Sequence, residues 1–419
     1  MPNISHIETT ITSLGGLGDG IADVGGKPLF VPKTVVGDHL RVRVLKETST
    51  ELRGEIAEIL KGGENRGIPP CRHFESCGGC SLQQLKEQAY KDFKTQMFHS
   101  AIRQSGHDLP DAAVTFLPAN SRRRVEMRVY RMGGITQMAY FRPGTNELLP
   151  IEKCLILTKP LQSFLFPLSK ALGDLKGVEH VKSVKLTELE TGIDMLLVLK
   201  QELTSEALLK LSERTDVSRL SMQINNSEPR IVVSRRPTEI MLGEYSIALP
   251  ADAFLQSSAE AQQKLTDFVS THIPQEGKIA DLFSGVGTYS FPMTKTHKVH
   301  AVESHAGMVS HIKKAAKKHQ LEEVLTAECR DLFHAPLSQK ELSGFEAVVI
   351  NPPRPGAKRQ VEEIAASGIS RVVMISCNPG TFARDAKVLK NAGFTLSQAE
   401  AIDQFVYSPH LEIAASFSR

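Results

Sequence analysis

The feature of this chain that most restricts its fold is a regular alternation of short apolar strands and helical segments after about residue 245. Strands are predicted at 278–282, 298–302, 345–350 and 371–376, each separated from the next by a helical stretch. Strands and helices that alternate in this way form a parallel sheet covered on both faces. Ligands of such sheets bind beyond the carboxyl ends of the strands. The pattern therefore predicts a doubly wound α/β domain at 241–419.

Two further regions precede this domain. Residues 1–60 contain short alternating stretches separated by glycine turns, which is typical of a small OB-like β-barrel. A Gly- and Pro-containing linker, Lys61–Pro70, follows. Strand and helix patterns are mixed after it, so 61–240 is predicted to be an α+β domain. A length of 419 residues agrees with more than one core.

The composition excludes membrane-embedded classes and little else. Hydrophobic residues make up 41% of the chain and charged residues 23%, as in soluble globular proteins. No apolar run approaches the roughly 20 residues that span a bilayer, and the first residues lack the pattern of a signal peptide. We therefore expect a cytoplasmic protein without a membrane partner. The net charge of +3 is compatible with a nucleic-acid partner and equally with a small substrate.

A glycine turn follows the first strand of the α/β domain directly, within Asp281–Thr288. Glycines there allow a ligand to approach the backbone closely before the next helix begins. The following strand ends in Glu303, whose carboxylate could accept both hydroxyls of a ribose. A Gly-x-Gly turn alone often only joins two elements. Together with Glu303, it predicts a site for a nucleoside cofactor.

Two later strands end in segments that could carry chemistry. Asn351–Gly356 places consecutive prolines at a strand end, which makes the loop rigid. Ser376–Pro379 contains Cys377; a cysteine in an apolar strand is usually inert, but at this edge its thiolate could add to an electrophilic carbon. Near the C-terminus, Pro409–Glu412 precedes an apolar strand. Glu412 is then either an ordinary salt-bridging residue or a group that faces the site.

These segments, in this order, resemble the RNA uracil-5-methyltransferase family, and in particular the iron–sulfur subgroup that modifies bacterial 23S ribosomal RNA. The first 60 residues are similar to the TRAM domain, an OB-like RNA-binding barrel of that subgroup, and Phe254–Gln256 resembles the family's Phe-x-Gln element. The resemblance implies a Rossmann-like class I methyltransferase domain that uses S-adenosylmethionine. It implies a cofactor site composed of Gln256, Phe283, Gly285, Thr288, Glu303, Asp331 and Asn351.

The resemblance also implies the reaction. Carbon 5 of uracil is a poor nucleophile, and addition of the Cys377 thiolate to carbon 6 would create an enolate that can attack the sulfonium methyl group. Glu412, as general base, would then remove the carbon 5 proton, and elimination would release Cys377. The base must be unstacked to reach the pocket. We therefore expect RNA, not DNA, as the partner, in a single-stranded or remodelled loop.

The cysteines contain a cluster of their own. Cys71, Cys77 and Cys80 lie within ten residues, which in a chain without a secretion signal suggests metal ligation more than disulfides. With Cys154 they match the family's four ligands to a [4Fe–4S] cluster, although the spacing alone equally suits zinc. Cys329 matches no motif and is expected to be a buried structural thiol.

A run of arginines begins at Arg122-Arg123-Arg124 and continues with Arg128 and Arg131. It is either a solvated strand edge or a contact surface for RNA. The predicted RNA-binding parts are this strand and the barrel at 1–60. The residues alone do not determine whether ribosomal or transfer RNA is bound, but the resemblance of the cysteine ligands and the barrel to the iron–sulfur subgroup implies 23S ribosomal RNA, with transfer RNA as the alternative.

Four departures from the family pattern concern the target base more than the cofactor. Asn351 stands where the family usually has Asp, Ser284 and Thr288 replace the usual Cys and Asn, and Ser258 stands where Asn is common. Asn-Pro-Pro is also found in methyltransferases that act on exocyclic nitrogens, so an amino-group methyltransferase is an alternative. Such an enzyme needs neither Cys377 nor Glu412. A non-catalytic RNA-binding protein is the other alternative, against which the cofactor turn with Glu303 argues.

Overall fold

The computed structural model describes residues 6–419, which divide into two compact units. The first unit comprises the described residues up to Met97 together with Tyr140–Leu149 and Phe405–His410. The second comprises Phe98–Ala139, Pro150–Gln404 and Leu411–Arg419. The first five residues of the predicted barrel lie outside the described part. Within 6–419, none of the helices has the length and apolar character needed to cross a bilayer.

The first unit contains a six-stranded sheet with the order β1-β5-β6-β4-β3-β2. Its strands are β1 (His6–Thr10), β2 (Ser13–Leu14), β3 (Gly20–Val24), β4 (Lys27–Val31), β5 (His39–Glu47) and β6 (Leu52–Lys61). A small core of aliphatic side chains, which includes Leu29, Leu40 and Val42, is fully buried. The short strands predicted from the glycine turns are therefore present, whereas closure of the sheet into a barrel stays a prediction.

A C-terminal stretch of the chain, Phe405–His410, is held in this first unit by main-chain hydrogen bonds. The cysteine loop is defined as residues 71–80. The N–H groups of Ser81 and Leu82, which follow it, donate to the Tyr407 carbonyl at 2.9 and 3.1 Å. Helix α1 (Glu87–Gln104) supplies the buried Lys94, whose Nζ donates to the His410 carbonyl at 2.6 Å. These bonds anchor the residues that lead into Glu412.

The predicted α+β region contains a seven-stranded sheet with the order β10-β9-β8-β11-β12-β13-β14. Strand β7 (Ala113–Phe116) precedes it and joins another sheet. The elements that follow are β8 (Arg124–Met132), β9 (Ile135–Phe141), β10 (Leu148–Pro150), α2 (Lys159–Gly173), β11 (Val181–Leu189), β12 (Gly192–Leu199), α3 (Ser205–Thr215), β13 (Arg219–Ile224) and β14 (Arg230–Ser234). The hairpin of β15 (Glu239–Leu242) and β16 (Tyr245–Ala248) leads out of the region. The bounds predicted for the domains, at 60 and 240, stay a prediction.

An eight-stranded sheet forms the centre of the second unit, with the order β19-β18-β17-β20-β21-β23-β22-β7. Its elements are α4 (Ala259–His272), β17 (Lys278–Leu282), α5 (Ser290–Met293), β18 (Lys298–Glu303), α6 (Ala306–Lys318), β19 (Leu325–Cys329), α7 (Gln339–Leu342), β20 (Ala347–Ile350), α8 (Lys358–Ala366), β21 (Arg371–Ser376), α9 (Pro379–Asn391), β22 (Thr395–Asp403) and β23 (Glu412–Ser418). Strands β17 to β21 are parallel, and β23 is antiparallel to both β21 and β22. The doubly wound α/β fold expected from the sequence is confirmed.

Candidate active site

The loop after β17 adopts a backbone that needs glycine. Phe283, Gly285 and Gly287 all have positive φ, at 61°, 58° and 86°. A Cβ on Gly287 would lie 2.8 Å from the Phe291 ring, so this position has no room for a side chain. A Cβ on Gly285 would meet none of the described atoms within 4 Å. The loop is thus packed on one side and open on the other, where a ligand can approach the backbone.

The Glu303 carboxylate is fixed beside this loop. Gly285 donates its N–H to Oε2 at 3.0 Å, while the His305 N–H and the Ser304 hydroxyl donate to Oε1 at 2.9 and 3.1 Å. Three donors therefore set the orientation of a half-buried carboxylate at the end of β18. An oriented acceptor beside an open glycine loop is suited to the hydroxyls of a ribose.

Asp331 follows the end of the next strand, β19, and is exposed. It accepts the Phe333 N–H at 2.9 Å, and the His334 ring nitrogen Nδ1 lies 2.7 Å from its second oxygen. The hydrogen bond with His334 is the main cause that lowers the pKa of Asp331. The Phe333 ring stacks obliquely near Phe283, with centroids 5.4 Å apart. Two aromatic rings and a carboxylate thus lie together after the ends of β17 and β19.

Asp281, the acidic residue of β17, is fully buried. The Ser290 hydroxyl donates to its Oδ2 at 2.5 Å. Burial, together with the nearby Glu303 carboxylate, raises the pKa of Asp281 to about 7. The sequence pattern marked this residue only as the start of the turn, because its burial depends on the packing of α5 on the strand.

Cys377 and Glu412 lie together although their segments are distant in the chain. Ser376 pairs with Ile413 across the antiparallel strands β21 and β23, so Cys377 and Glu412 leave that pair at the same end. Glu412 is buried, and burial raises its pKa to about 7. Burial also raises the pKa of Cys377 to about 11; the Glu412 carboxylate adds to this rise and Arg354 opposes it. The pair is therefore an electrostatically coupled thiol and carboxylate at the carboxyl edge of the sheet.

A residue that sequence reasoning missed connects this pair to the Phe-x-Gln element. Gln404, which follows β22, donates from Nε2 to Glu412 Oε2 at 2.6 Å and to Gln256 Oε1 at 2.8 Å. Its Oε1 accepts the Ser257 N–H at 3.1 Å and the Ser257 hydroxyl at 2.9 Å. In the sequence, the only indication of a role for Gln404 is that a polar residue follows the apolar residues at the end of β22. This indication does not show which side chains Gln404 contacts.

The remaining predicted residues lie on the same loops. Thr288 and Asn351 are half-buried, and the Asn351 N–H donates to the Leu282 carbonyl at 3.1 Å, which places the loop after β20 beside the end of β17. The structure therefore brings Gln256, Phe283, Gly285, Thr288, Glu303, Asn351, Cys377 and Glu412 to the carboxyl edge of one sheet.

The interpretation of the arginine run as a solvated strand edge is wrong for Arg123 and Arg124, which are half-buried. Arg123 donates to the Gln256 carbonyl at 3.1 Å and to Gln262 Oε1 at 2.7 Å. The Arg124 guanidinium lies over the Phe254 ring, 3.9 Å from its centroid. Burial lowers the pKa of both arginines to about 10. Two of the five arginines thus support the segment that carries Gln256.

The cysteine loop lies in the first unit beside Lys33, whose Nζ donates to the Phe74 and Glu75 carbonyls. Burial, with a contribution from Cys71, raises the pKa of Cys77. Within residues 6–419, no group of three or more His, Cys, Asp or Glu side chains is arranged to hold a metal ion.

Cys329 is exposed, so the expectation of a buried structural thiol was wrong. The end of β19 lies at the sheet edge, which leaves its last side chain open to solvent.

Comparisons with known proteins agree with this arrangement. Residues 117–419 match the family model described as tRNA (uracil-5-)-methyltransferase. An uncharacterized RNA methyltransferase of Caulobacter vibrioides is 34% identical over 428 residues, which cover 98% of this chain and 100% of the relative. The 23S rRNA (uracil(1939)-C(5))-methyltransferase RlmD of Aeromonas hydrophila is 27% identical over 427 residues, 99% of this chain and 96% of the relative.

A solved structure shares the fold. The Pyrococcus abyssi tRNA (uracil-54, C5)-methyltransferase, in complex with S-adenosyl-L-homocysteine, superposes with a TM-score of 0.73 over 98% of this chain and 100% of that chain, at 20% identity. The family match covers the whole eight-stranded sheet except β7, and the Caulobacter relative extends over nearly the full chain. The chain therefore belongs to the tRNA (uracil-5-)-methyltransferase family of S-adenosylmethionine-dependent RNA methyltransferases.

Proposed function

We propose that this protein methylates carbon 5 of a specific uridine in 23S ribosomal RNA. The observation that carries the proposal is the pairing of Cys377 with the buried Glu412 at the sheet edge where the glycine loop and Glu303 also lie. A thiol and a carboxylate beside a cofactor site are the two groups that carbon 5 methylation requires. The ribosomal target is supported by the match to the Aeromonas RlmD over nearly the whole chain.

The residues around the glycine loop fit S-adenosylmethionine. Gly285 leaves its side of the loop open, and Glu303 is held as an acceptor for the ribose. We assign the adenine side to Phe283 and Asp331, and the remaining contacts to Gln256, Thr288 and Asn351. When bound, the cofactor supplies an electrophilic methyl group.

Cys377 and Glu412 then divide the reaction between them. After loss of its proton to water, the Cys377 sulfur would add to carbon 6 of the flipped uracil and place an electron pair on carbon 5. That pair would take the methyl group that the bound cofactor supplies, as the bond between the methyl carbon and the sulfonium breaks and S-adenosylhomocysteine is left. Glu412 removes the proton from the methylated carbon 5, and the carbon 6–sulfur bond breaks to restore the double bond. Because burial raises the pKa of Glu412 to about 7, it is a stronger base than an exposed carboxylate.

Trapping with 5-fluorouridine-substituted ribosomal RNA tests this proposal. Fluorine cannot leave carbon 5 as a proton does, so the methylated covalent complex should persist through denaturing electrophoresis, with its crosslink mapped to Cys377. Sequencing of the trapped RNA identifies the uridine. Absence of an adduct, with labelled methyl still incorporated into ordinary RNA, would contradict carbon 5 chemistry and favour the amino-group alternative built on Asn351. An adduct formed with transfer RNA and not with ribosomal RNA would overturn the ribosomal assignment alone.

We also propose that Cys71, Cys77, Cys80 and Cys154 bind a [4Fe–4S] cluster. The proposal rests on the resemblance of these four positions to the ligands of the iron–sulfur subgroup. Four thiolates suit an iron–sulfur cluster or zinc, and metal analysis separates the two.

Purification without oxygen should give a brown protein with about four iron atoms and about four sulfides per chain. Cys77→Ser is expected to lose most of the iron, because it removes one thiolate ligand. Cys329→Ser is the matched control and should retain it, since Cys329 is exposed and outside the four positions. A colourless protein that contains zinc, or a Cys77→Ser variant with unchanged iron, would contradict the cluster.

The remaining assignments are part of the same proposal. We assign residues 1–60 to a TRAM-like RNA-binding barrel, 61–240 to the central domain and 241–419 to the catalytic domain. The protein is proposed to act in the cytoplasm, where ribosomal RNA is available to it.

A further inference from the structure

The orientation of the Gln404 side-chain amide follows from its contact with Ser257. The Ser257 main-chain N–H can only donate a hydrogen bond, so the Gln404 atom 3.1 Å from it must be the carbonyl oxygen Oε1. The Ser257 hydroxyl, 2.9 Å from the same oxygen, is a second donor to it. The amide of Gln404 is therefore not free to flip, because a flip would set its NH₂ group against a main-chain N–H.

This orientation points the NH₂ group at the proposed general base and at a residue assigned to the cofactor site. One N–H is directed to Glu412 Oε2 at 2.6 Å and the other to Gln256 Oε1 at 2.8 Å. Gln404 and Glu412 are each 2% exposed and Gln256 is 6% exposed, so water cannot readily replace these bonds. Oε2 of Glu412 is thereby held as an acceptor, which fixes the orientation of the carboxylate.

We propose that Gln404 is a positioning residue, which fixes the orientation of the Glu412 carboxylate for removal of the carbon 5 proton and links it by hydrogen bonds to Gln256 at the cofactor site. This inference rests on the proposed function, since it concerns the step in which Glu412 acts. Ser257 fixes the orientation of the Gln404 amide, and Gln404 in turn fixes the orientation of the Glu412 carboxylate. Glu412 then removes the proton. Residues that orient a reacting group in this way commonly contribute about 10- to 100-fold.

Two titratable groups besides Gln404 lie near this carboxylate. They are Cys377, which follows β21, and Tyr289, in the loop before α5; Glu412 raises the pKa of each in part. Asp281 acts on Tyr289 from β17. Gln404 is the hydrogen-bond donor that lowers the pKa of Glu412 against the effect of burial. Loss of this donor should therefore move the pH at which Glu412 becomes a base to a higher value.

The test separates methyl transfer from proton removal. Ribosomal RNA that carries tritium on carbon 5 of its uridines releases tritium to water when Glu412 acts, while labelled S-adenosylmethionine reports methyl transfer. Gln404→Met keeps the length of the side chain and removes both donors. We expect tritium release to slow by about 10- to 100-fold, with the first methyl transfer and the KM for RNA little changed. The acidic limb of the pH profile should move to higher pH.

A second variant distinguishes positioning from folding. Gln404→Asn keeps a polar amide at this buried position but shortens the side chain by one methylene, so its NH₂ group no longer reaches Glu412 Oε2. The same delay and pH shift are therefore expected even if Gln404→Met is poorly folded. Gln360→Met is the matched control, because Gln360 is a buried glutamine bonded to the Leu337 main chain away from Glu412. Unchanged tritium release and pH profile in a folded Gln404 variant would overturn the inference. A wild-type protein that releases no tritium would instead contradict the proposed function.

Discussion

Replacement of Cys377 by alanine is expected to reduce uridine methylation by on the order of 10⁴-fold or more, because removal of a covalent nucleophile eliminates the step that activates carbon 5. Binding of S-adenosylmethionine should be retained, since the open glycine at 285 and the carboxylate of Glu303 are held by other loops. Calorimetric titration with the cofactor and incorporation of labelled methyl groups measure the two properties separately.

Cys329→Ala provides the control for this substitution. Cys329 also ends a parallel strand of the same sheet, but its thiol is exposed and donates to the Ser304 carbonyl. We expect its variant to methylate RNA at the wild-type rate. Substantial methylation by Cys377→Ala, or equal losses in the two variants, would contradict the assignment of the nucleophile. A Cys377→Ala protein that no longer binds the cofactor would show that its defect is structural.

Substitution of Glu412 by glutamine is expected to lower turnover by about 10²- to 10⁴-fold, the usual contribution of a general base. Methyl transfer precedes proton removal, so a methylated protein–RNA adduct should accumulate with ordinary RNA, without any fluorinated base. The side-chain carbonyl of the new glutamine can still accept the hydrogen bond from Gln404 Nε2, which preserves the local structure. Denaturing electrophoresis and mass spectrometry detect the adduct.

Glu400→Gln is the matched control for this substitution. Glu400 lies in β22 and pairs with Ala414, its carboxyl is about half-buried, and burial raises its pKa. A similar loss of charge there should leave turnover unchanged and yield no adduct. If Glu412→Gln turns over normally and forms no adduct, another group removes the proton, and the role of Glu412 must be withdrawn.

The sequence alone determined the alternation of strands and helices in the catalytic region and the strand ends at which candidate site residues lie. Strands β17 and β21 have the bounds that their apolar runs predict, because a strand buried on both faces is a continuous apolar segment that ends at a turn. Parallel strands end at one edge, so the residues after them could be grouped without coordinates. The motifs at Glu303, Asn351 and Cys377 were found in this way.

Only the tertiary structure decided which of these groups act on each other. Gln404 and Gln256 are 148 positions apart, and their contact arises from the packing of the loop before α4 against the end of β22. The same holds for Arg123 and Arg124, whose charges are indistinguishable in the sequence from those of solvated arginines but are half-buried against the Phe254 segment. The pKa of Glu412 likewise depends on burial by distant elements. Local sequence patterns record the chemical type of a side chain and its position along a strand, whereas its solvation and its hydrogen-bond partners are properties of the folded chain.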